Sequence, residues 1–113
     1  MKRHYPEMPI PAVAAVISCG DRLLLVKRRN PPSAGKWSIP GGVQKVGERT
    51  CYAVKREVQE ETGMEVDVLD LLEAGDVIRR DGDGRIAYHY LILYYLAVPR
   101  SGQLRAGDDV SDA

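Results

Sequence analysis

The chain has 113 residues, its 16 Lys and Arg balance 16 Asp and Glu, and 44% of its residues are apolar. This length supports one hydrophobic core of ordinary size, so we expect a single domain over residues 1–113. A charged share of 28% beside this apolar share is typical of a globular protein and argues against disorder. The formal net charge of zero disfavours a nucleic-acid polymer as a partner, because such binders carry a basic excess.

No segment suggests a membrane span or a secretory leader. The longest apolar run, residues 90–98, is far shorter than the roughly 18 residues that a spanning helix needs. The basic start is followed by an apolar stretch, but Glu7 and two prolines interrupt it. Cys19 and Cys51 lack the spacing of a metal-binding pair and make a poor disulfide framework, so we expect reduced thiols. These features predict a cytoplasmic protein without a membrane partner.

The first predicted elements form a β-hairpin. Residues 12–18 are apolar and rich in β-branched side chains, a Gly-Asp turn follows, and residues 23–26 are apolar again. Residues 30–35 have the composition of a loop, and residues 37–39 form a short strand that stops at Pro40. We expect the hairpin to belong to the core sheet.

One helix is predicted from Thr50 to Thr62. The segment contains neither glycine nor proline, Thr50 can serve near the N-cap, and Gly63 occupies the position where helices commonly end. The face that we expect to be buried carries three side chains spaced by three and four residues: Cys51, Val54 and Val58.

Two more strands are predicted in the second half of the chain. Residues 66–73 and 86–98 have strand composition, and the second segment is apolar on both faces, which places it at the centre of the sheet. Residues 81–84 form the turn region between them. Residues 99–113 are polar and predict a loop without a packed element.

Three glutamates on the predicted helix are the main chemical signal. Glu57, Glu60 and Glu61 stand at positions i, i+3 and i+4, so their carboxylates project from one face. Their mutual repulsion and the negative end of the helix dipole both disfavour them, so local stability does not explain their presence. Mg²⁺, which takes oxygen ligands and bridges to phosphates, would stabilise the cluster. A solvated acidic face is the alternative.

The residues before the helix favour the metal site. Gly41 and Gly42 lack Cβ atoms, so the backbone there can approach a cation or a phosphate closely. Arg56 stands beside Glu57 and can orient a carboxylate, for which Glu48 is the best candidate.

Residues 42–64 together resemble the signature of the Nudix hydrolases, G-x5-E-x7-R-E-U-x-E-E-x-G-U, in which U is apolar. Every defined position matches: Gly42, Glu48, Arg56, Glu57, Val58, Glu60, Glu61, Gly63 and Met64. The preceding segment GKWSIPGG, residues 35–42, is also similar to that of many members.

The resemblance implies an α/β/α sandwich with a mixed β-sheet, and metal-dependent hydrolysis of a nucleoside diphosphate linked to another moiety. It implies Glu57, Glu60, Glu61 and the Gly42 carbonyl as ligands of Mg²⁺ or Mn²⁺, with Glu48 and Arg56 as orienting residues of the catalytic site. Glu57 and Glu60 are the leading candidates for the general base. Asp108 and Asp109 are alternatives that we rank below them, because acids in a loop are commonly solvated turn residues.

Compared with the family, the chain lacks a last strand and a C-terminal helix. This departure predicts an incompletely covered sheet and a homodimer, or a chain that is truncated after Ala113.

Four residues are candidates for contacts with a small nucleotide substrate. Arg28 and Arg29 could grip phosphates, and Trp37 could stack on a base or belong to the core. His89 could hydrogen-bond the substrate or serve as a structural histidine. Residues 88–97 look similar to ADP-ribose pyrophosphatase-like members, so ADP-ribose, cleaved to AMP and ribose 5-phosphate, is the expected substrate. Nucleoside triphosphates, other nucleotide sugars and a non-catalytic nucleotide-sensing domain are the alternatives.

Overall fold

The computed structural model describes residues 2–28, 35–101 and 110–112. Within these ranges it contains one helix, α1 (Thr50–Thr62), and the following strands. They are β1 (Ile10–Cys19), β2 (Arg22–Leu23), β3 (Val26–Arg28), β4 (Trp37–Ser38), β5 (Gly41–Val43), β6 (Glu65–Arg80), β7 (Ile86–Ser101) and β8 (Val110–Asp112). No helix in the described part of the chain is long and apolar enough to cross a membrane.

The larger sheet is mixed and has the strand order β2-β1-β7-β6, with β5 also paired to β1. β1 and β7 are parallel and place Val13 opposite Leu93, whereas the β5 pairing is antiparallel and places Gly42 opposite Val13. A smaller sheet has the order β4-β3-β8. The expected mixed sheet, with residues 86–98 in a central strand, is confirmed.

The hydrophobic core lies between α1 and the larger sheet. Its fully buried members come from the helix and from three strands, and Leu24 joins them: Val13, Ala15, Ile17, Ala53, Val54, Val58, Val66 and Ala97. Small alanines on β1 and β7 let the helix pack close to the sheet. Removing this apolar surface from water is the main source of stability, at about 25 cal/mol per Å².

The predicted helix bounds are confirmed, but one member of the predicted buried face was wrong. Arg49 is the N-cap residue, and the hydroxyl of Thr50, which follows it, shares a hydrogen bond of 2.5 Å with the Tyr95 hydroxyl. Cys51 is only half-buried, whereas Ala53, which was not predicted to be buried, belongs to the core. Gly63 ends the helix in the left-handed region at φ 76, as its position predicts.

The strand predictions were too short or wrongly joined in three places. The strand expected at residues 23–26 is divided into β2, which pairs with β1, and β3, which belongs to the smaller sheet. β6 extends beyond residue 73 to Arg80, because the first half of β7 offers it a backbone partner. The polar tail is not a continuous loop, since β7 continues to Ser101 and residues 110–112 pair with β3.

The turn expected at residues 81–84 is present at the tip of the β6–β7 hairpin. The Asp81 carboxylate accepts hydrogen bonds from the backbone N–H groups of Asp83 and Arg85, each at 2.9 Å. The Tyr5 hydroxyl donates to the same carboxylate at 2.6 Å and, as the main cause, holds the pKa of Asp81 below its usual range. The N-terminal segment therefore fastens the hairpin tip.

Candidate active site

The glycine pair on β5 brings the backbone directly against the helix. A side chain at Gly42 would lie within 2.5 Å of both carboxylate oxygens of Glu57. A side chain at Gly41 would collide with the carbonyl oxygen of Val13 on the neighbouring strand. The strand pairing and the acidic helix face therefore both require glycine in this segment.

Arg56 and Glu48 form a bidentate ion pair across the loop before α1. Arg56 Nε donates to Glu48 Oε2 at 2.7 Å, and Nη2 donates to Oε1 at 2.9 Å. The backbone N–H of Lys45 also donates to Glu48 at 3.1 Å. The Arg56 hydrogen bonds are the main cause that lowers the pKa of Glu48 to about 2, and the same pairing raises the pKa of Arg56. The contact expected from the sequence is present; its role in catalysis stays a prediction.

Arg56 also connects the loop to two glutamates of the helix. Its Nη1 donates to Glu57 Oε1 at 2.6 Å and to Glu60 Oε2 at 3.4 Å, and Nη2 donates to the carbonyl of Val43 at 3.0 Å. The side chain of Glu60 is 44% exposed and its contact with Arg56 is long. Glu57 is therefore held firmly, and Glu60 is held loosely at the solvent edge.

Glu61 is buried, with 2% of its surface exposed. Its Oε2 accepts a hydrogen bond from the Gly41 N–H at 3.0 Å, and its Oε1 accepts one from Arg28 Nη1 at 3.1 Å. We did not expect this burial, although the sequence carried a signal for it. Glu61 follows Val58 by three residues, so it continues the buried stripe of the helix.

The acidic groups have the chemistry that a hard divalent cation requires, but their side chains are not arranged around one common point. Glu57, Glu60 and Glu61 supply carboxylate oxygens, and at Gly42 no side chain separates the backbone from Glu57. As placed here, the carboxylates are paired with arginines, and within the described ranges no three acidic, His or Cys side chains gather closely enough to hold a metal ion. Cation binding would therefore require these side chains to rearrange.

The candidate substrate residues lie in different places. Trp37 is 51% exposed on β4, which excludes the core alternative and leaves stacking as a prediction. Arg28 lies on the adjacent β3 and reaches the acidic cluster through Glu61. Arg29, Asp108 and Asp109 lie outside the described residues.

The structure does not bring His89 to the acidic cluster. Its Nε2 lies 3.0 Å from Asp76 Oδ1 on β6. Val13 pairs with Gly42 on one side and with Leu93 on the other, so Leu93 lies at the same height in the sheet as Gly42. His89 precedes Leu93 by four residues, or about 13 Å along the strand. A structural role in the hairpin is the interpretation that this position favours.

Comparisons with known proteins give a consistent result. Residues 8–113 match the model of the NUDIX domain family. The chain is 36% identical over 105 residues to the ADP-ribose pyrophosphatase of Methanocaldococcus jannaschii, covering 93% of this chain and 60% of that protein. It superposes on a MutT/nudix family protein from Enterococcus faecalis with a TM-score of 0.77 and 30% identity, over 95% of this chain and 43% of the other. The NUDIX domain of Shewanella oneidensis NrtR, solved with ADP ribose, gives 0.69 and 25%, over 94% and 71%.

Proposed function

Because the chain belongs to the NUDIX family and has its fold, we propose that it is a divalent-cation-dependent pyrophosphohydrolase. Its substrate is a nucleoside diphosphate linked to another moiety, and ADP-ribose, cleaved to AMP and ribose 5-phosphate, is the one we favour. The supporting observation is the position of the Glu57 carboxylate, which Arg56 holds at 2.6 Å and which lies so near Gly42 that a side chain there would collide with it. We expect the enzyme to act in the cytoplasm.

The side chains divide the chemistry between them. Arg56, which is itself held by Glu48, fixes the position of the Glu57 carboxylate beside Gly42. Glu60, which is more exposed and more loosely held, is better placed to accept a proton from an attacking water. A bound Mg²⁺ or Mn²⁺ supplies neutralisation of the diphosphate oxygens and acidification of a ligated water. The product of this arrangement is a cleaved P–O–P bond.

The names of two relatives favour ADP-ribose. The Methanocaldococcus jannaschii relative is an ADP-ribose pyrophosphatase, and the Shewanella oneidensis domain was solved with ADP ribose. Because the chain spans 60% of the length of the first relative, substrate contacts of the longer protein do not transfer automatically. Nucleoside triphosphates and other nucleotide sugars therefore stay in the test.

The test is a hydrolysis panel with ADP-ribose, other nucleoside diphosphate sugars, diadenosine polyphosphates and each nucleoside triphosphate. Each reaction is run with Mg²⁺, with Mn²⁺ and with a chelator, and the products are separated by chromatography. We expect AMP from ADP-ribose only when a cation is present. Nucleotide binding without hydrolysis would contradict the proposal and favour a sensing domain. Cleavage of a nucleoside triphosphate alone would contradict ADP-ribose as the substrate but would leave the proposed reaction class unchanged.

A pair of variants assigns the activity to the acidic helix. We expect Glu60→Gln to lower kcat at least about 100-fold, because it removes a proton acceptor or cation ligand. Its melting temperature should stay close to that of the wild type, since one clustered negative charge is removed. Glu73→Gln, on exposed β6, is the matched control and should leave kcat unchanged.

We also propose a homodimer formed along β6. In the described part of the chain β6 pairs only with β7, and Leu69, Leu71 and Leu72 on it are each about half exposed. Acidic residues dominate the first half of β6, whereas Arg79 and Arg80 end it. A second copy aligned antiparallel would place each acidic half beside a basic end.

Light scattering tests the dimer. We expect twice the monomer mass for the wild type and the monomer mass for Leu71→Lys. Leu23→Lys, on a similarly exposed leucine of β2, is the control that should remain dimeric. A wild-type protein that is monomeric at high concentration would contradict this part of the proposal without affecting the enzymatic part.

A further inference from the structure

The ion pair between Arg28 and Glu61 joins the smaller sheet to the catalytic helix. Arg28 ends β3, and Glu61 lies in the last turn of α1, 33 residues later. The carboxylate of Glu61 has one oxygen on the Gly41 N–H and the other on Arg28. Glu61, a predicted cation ligand, is thus paired with the guanidinium of Arg28.

The two arginines that the structure describes at this site, Arg56 and Arg28, are held very differently. Arg56 donates to three carboxylates and to the Val43 carbonyl, so its guanidinium is fixed from several sides. Arg28 makes one ion pair within the described residues, and its side chain is 29% exposed. Its backbone, in contrast, is anchored by hydrogen bonds with Gly35 and Lys36. The guanidinium of Arg28 can therefore swing away while β3 stays in place.

The charges near Glu61 determine whether Arg28 stays paired with it. A buried carboxylate is stabilised by a positive partner, and in the cation-free protein Arg28 is such a partner of Glu61. A divalent cation ligated by Glu61 would face the positive charge of Arg28 at close range, and the two repel. Glu61 is buried, with 2% of its surface exposed, so water would screen this repulsion only weakly.

We propose that Arg28 is an exchangeable counter-ion for Glu61. It neutralises this carboxylate while the cation is absent and withdraws when the cation binds, which makes its guanidinium available to the substrate. This inference rests on the proposed function, because it takes Glu61 as a ligand of the enzyme's cation. It predicts an order of binding in which the cation precedes any contact between Arg28 and a diphosphate.

The test measures cation binding directly, without nucleotide and without turnover. Mn²⁺ is titrated into the full chain and followed by electron paramagnetic resonance, and thermal unfolding is recorded with and without Mn²⁺. The proteins are the wild type, Arg28→Gln, Arg28→Lys and the control Arg22→Gln, whose arginine is exposed on β2.

We expect Arg28→Gln to bind Mn²⁺ about tenfold more tightly than the wild type, since a competing positive charge is gone. Without Mn²⁺ its melting temperature should fall, and saturating Mn²⁺ should restore it to the wild-type value. Arg28→Lys keeps the charge and should bind Mn²⁺ within about twofold of the wild type. Arg22→Gln should change neither quantity.

Two results would overturn the inference. Unchanged or weaker Mn²⁺ affinity in Arg28→Gln, with equal destabilisation in both conditions, would make the ion pair purely structural. A variant that stays unfolded with Mn²⁺ would lead to the same conclusion. Because the titration requires no hydrolysis, a wild type that binds Mn²⁺ but cleaves no nucleotide would reject the proposed function and leave this test valid. A wild type that does not bind Mn²⁺ would reject both.

Discussion

The loop and helix around Arg56 differ from the outer part of the β6–β7 hairpin in how they treat charge. Around Arg56, carboxylates crowd together, Glu48 and Glu57 are each less than one fifth exposed, and both accept hydrogen bonds from Arg56. On β6, the acids and arginines are mostly exposed, and leucines stand between them in contact with water. The first region holds like charges close together, an arrangement that local stability does not explain. The second region is held together by pairing between two strands.

This difference shows that a count of charges says little about their importance. The pair of His89 and Asp76 resembles the pair of Arg56 and Glu48 in its combination of a base with an acid, yet Asp76 is more than half exposed, whereas both partners of the second pair are mostly buried. Exposed pairs contribute little because water and salt screen them, whereas a partly buried pair loses more when one partner is removed.

Breaking the Arg56 network should have the largest effect. For Arg56→Gln we expect a loss of about 2 to 4 kcal/mol in the free energy of unfolding, because Glu48 and Glu57 lose their main partner. Hydrolysis should fall at least about 100-fold as Glu57 loses its position. Urea denaturation and steady-state kinetics measure the two quantities. Arg79→Gln, on exposed β6, is the control, and a similar loss there would remove the contrast between the regions.

Filling the space at Gly42 should come next. We expect Gly42→Ala to cost about 1 to 3 kcal/mol, because the new methyl group would collide with the Glu57 carboxylate. Displacement of Glu57 should also lower kcat about 100-fold. Gly82→Ala, in the hairpin turn where a methyl group meets nothing within 4 Å, is the matched control. Equal effects at both positions would argue against a close approach at Gly42.

The decrease in the free energy of unfolding at low pH should depend on Glu48. Its pKa is about 2 in the folded protein and 4.5 ordinarily, so its stabilisation is complete above pH 4.5 and disappears as the pH falls to about 2. We expect Glu48→Gln to cost about 1 to 3 kcal/mol at pH 7. The difference between wild type and variant should shrink between these two pH values in urea denaturation. A difference that is independent of pH would contradict the ionic origin of the stabilisation.

The smallest effect should appear in the hairpin. We expect His89→Gln to change the free energy of unfolding by less than about 0.5 kcal/mol, because Asp76 is largely solvated. Since His89 lies far along β7 from the acidic cluster, kcat and KM should stay within about twofold of the wild type. A clear rise in KM would restore His89 as a substrate contact and sharpen the search for the nucleotide pocket.

The sequence predicted best what depends on neighbouring residues. The helix from Thr50 to Thr62 could be bounded because its ends carry local signals, and Glu48 could be paired with Arg56 because both belong to one short motif. It failed where the deciding partner lies far away in the chain. Nothing near Glu61 indicates Arg28, and residues 110–112 become a strand because β3 offers them a free edge.

Long-range pairing also explains the missed extent of β6. Its second half carries no strong alternation of apolar and polar side chains, and it is extended because β7 lies beside it. The exposure of Trp37 is of the same kind, since an aromatic residue on a two-residue strand can face either the core or the solvent. The folded arrangement of the small sheet decides between them.

The two glycines of β5 differ as targets of mutation over evolutionary time. At Gly42 the obstacle is the side chain of Glu57, so a change there could be accommodated by a second change at position 57. At Gly41 the obstacles are the carbonyl of Val13 and the Cα of Ala14, which every amino acid retains. A larger residue at position 42 should therefore occur only together with a change at position 57. At position 41 no single second substitution would make room for a side chain.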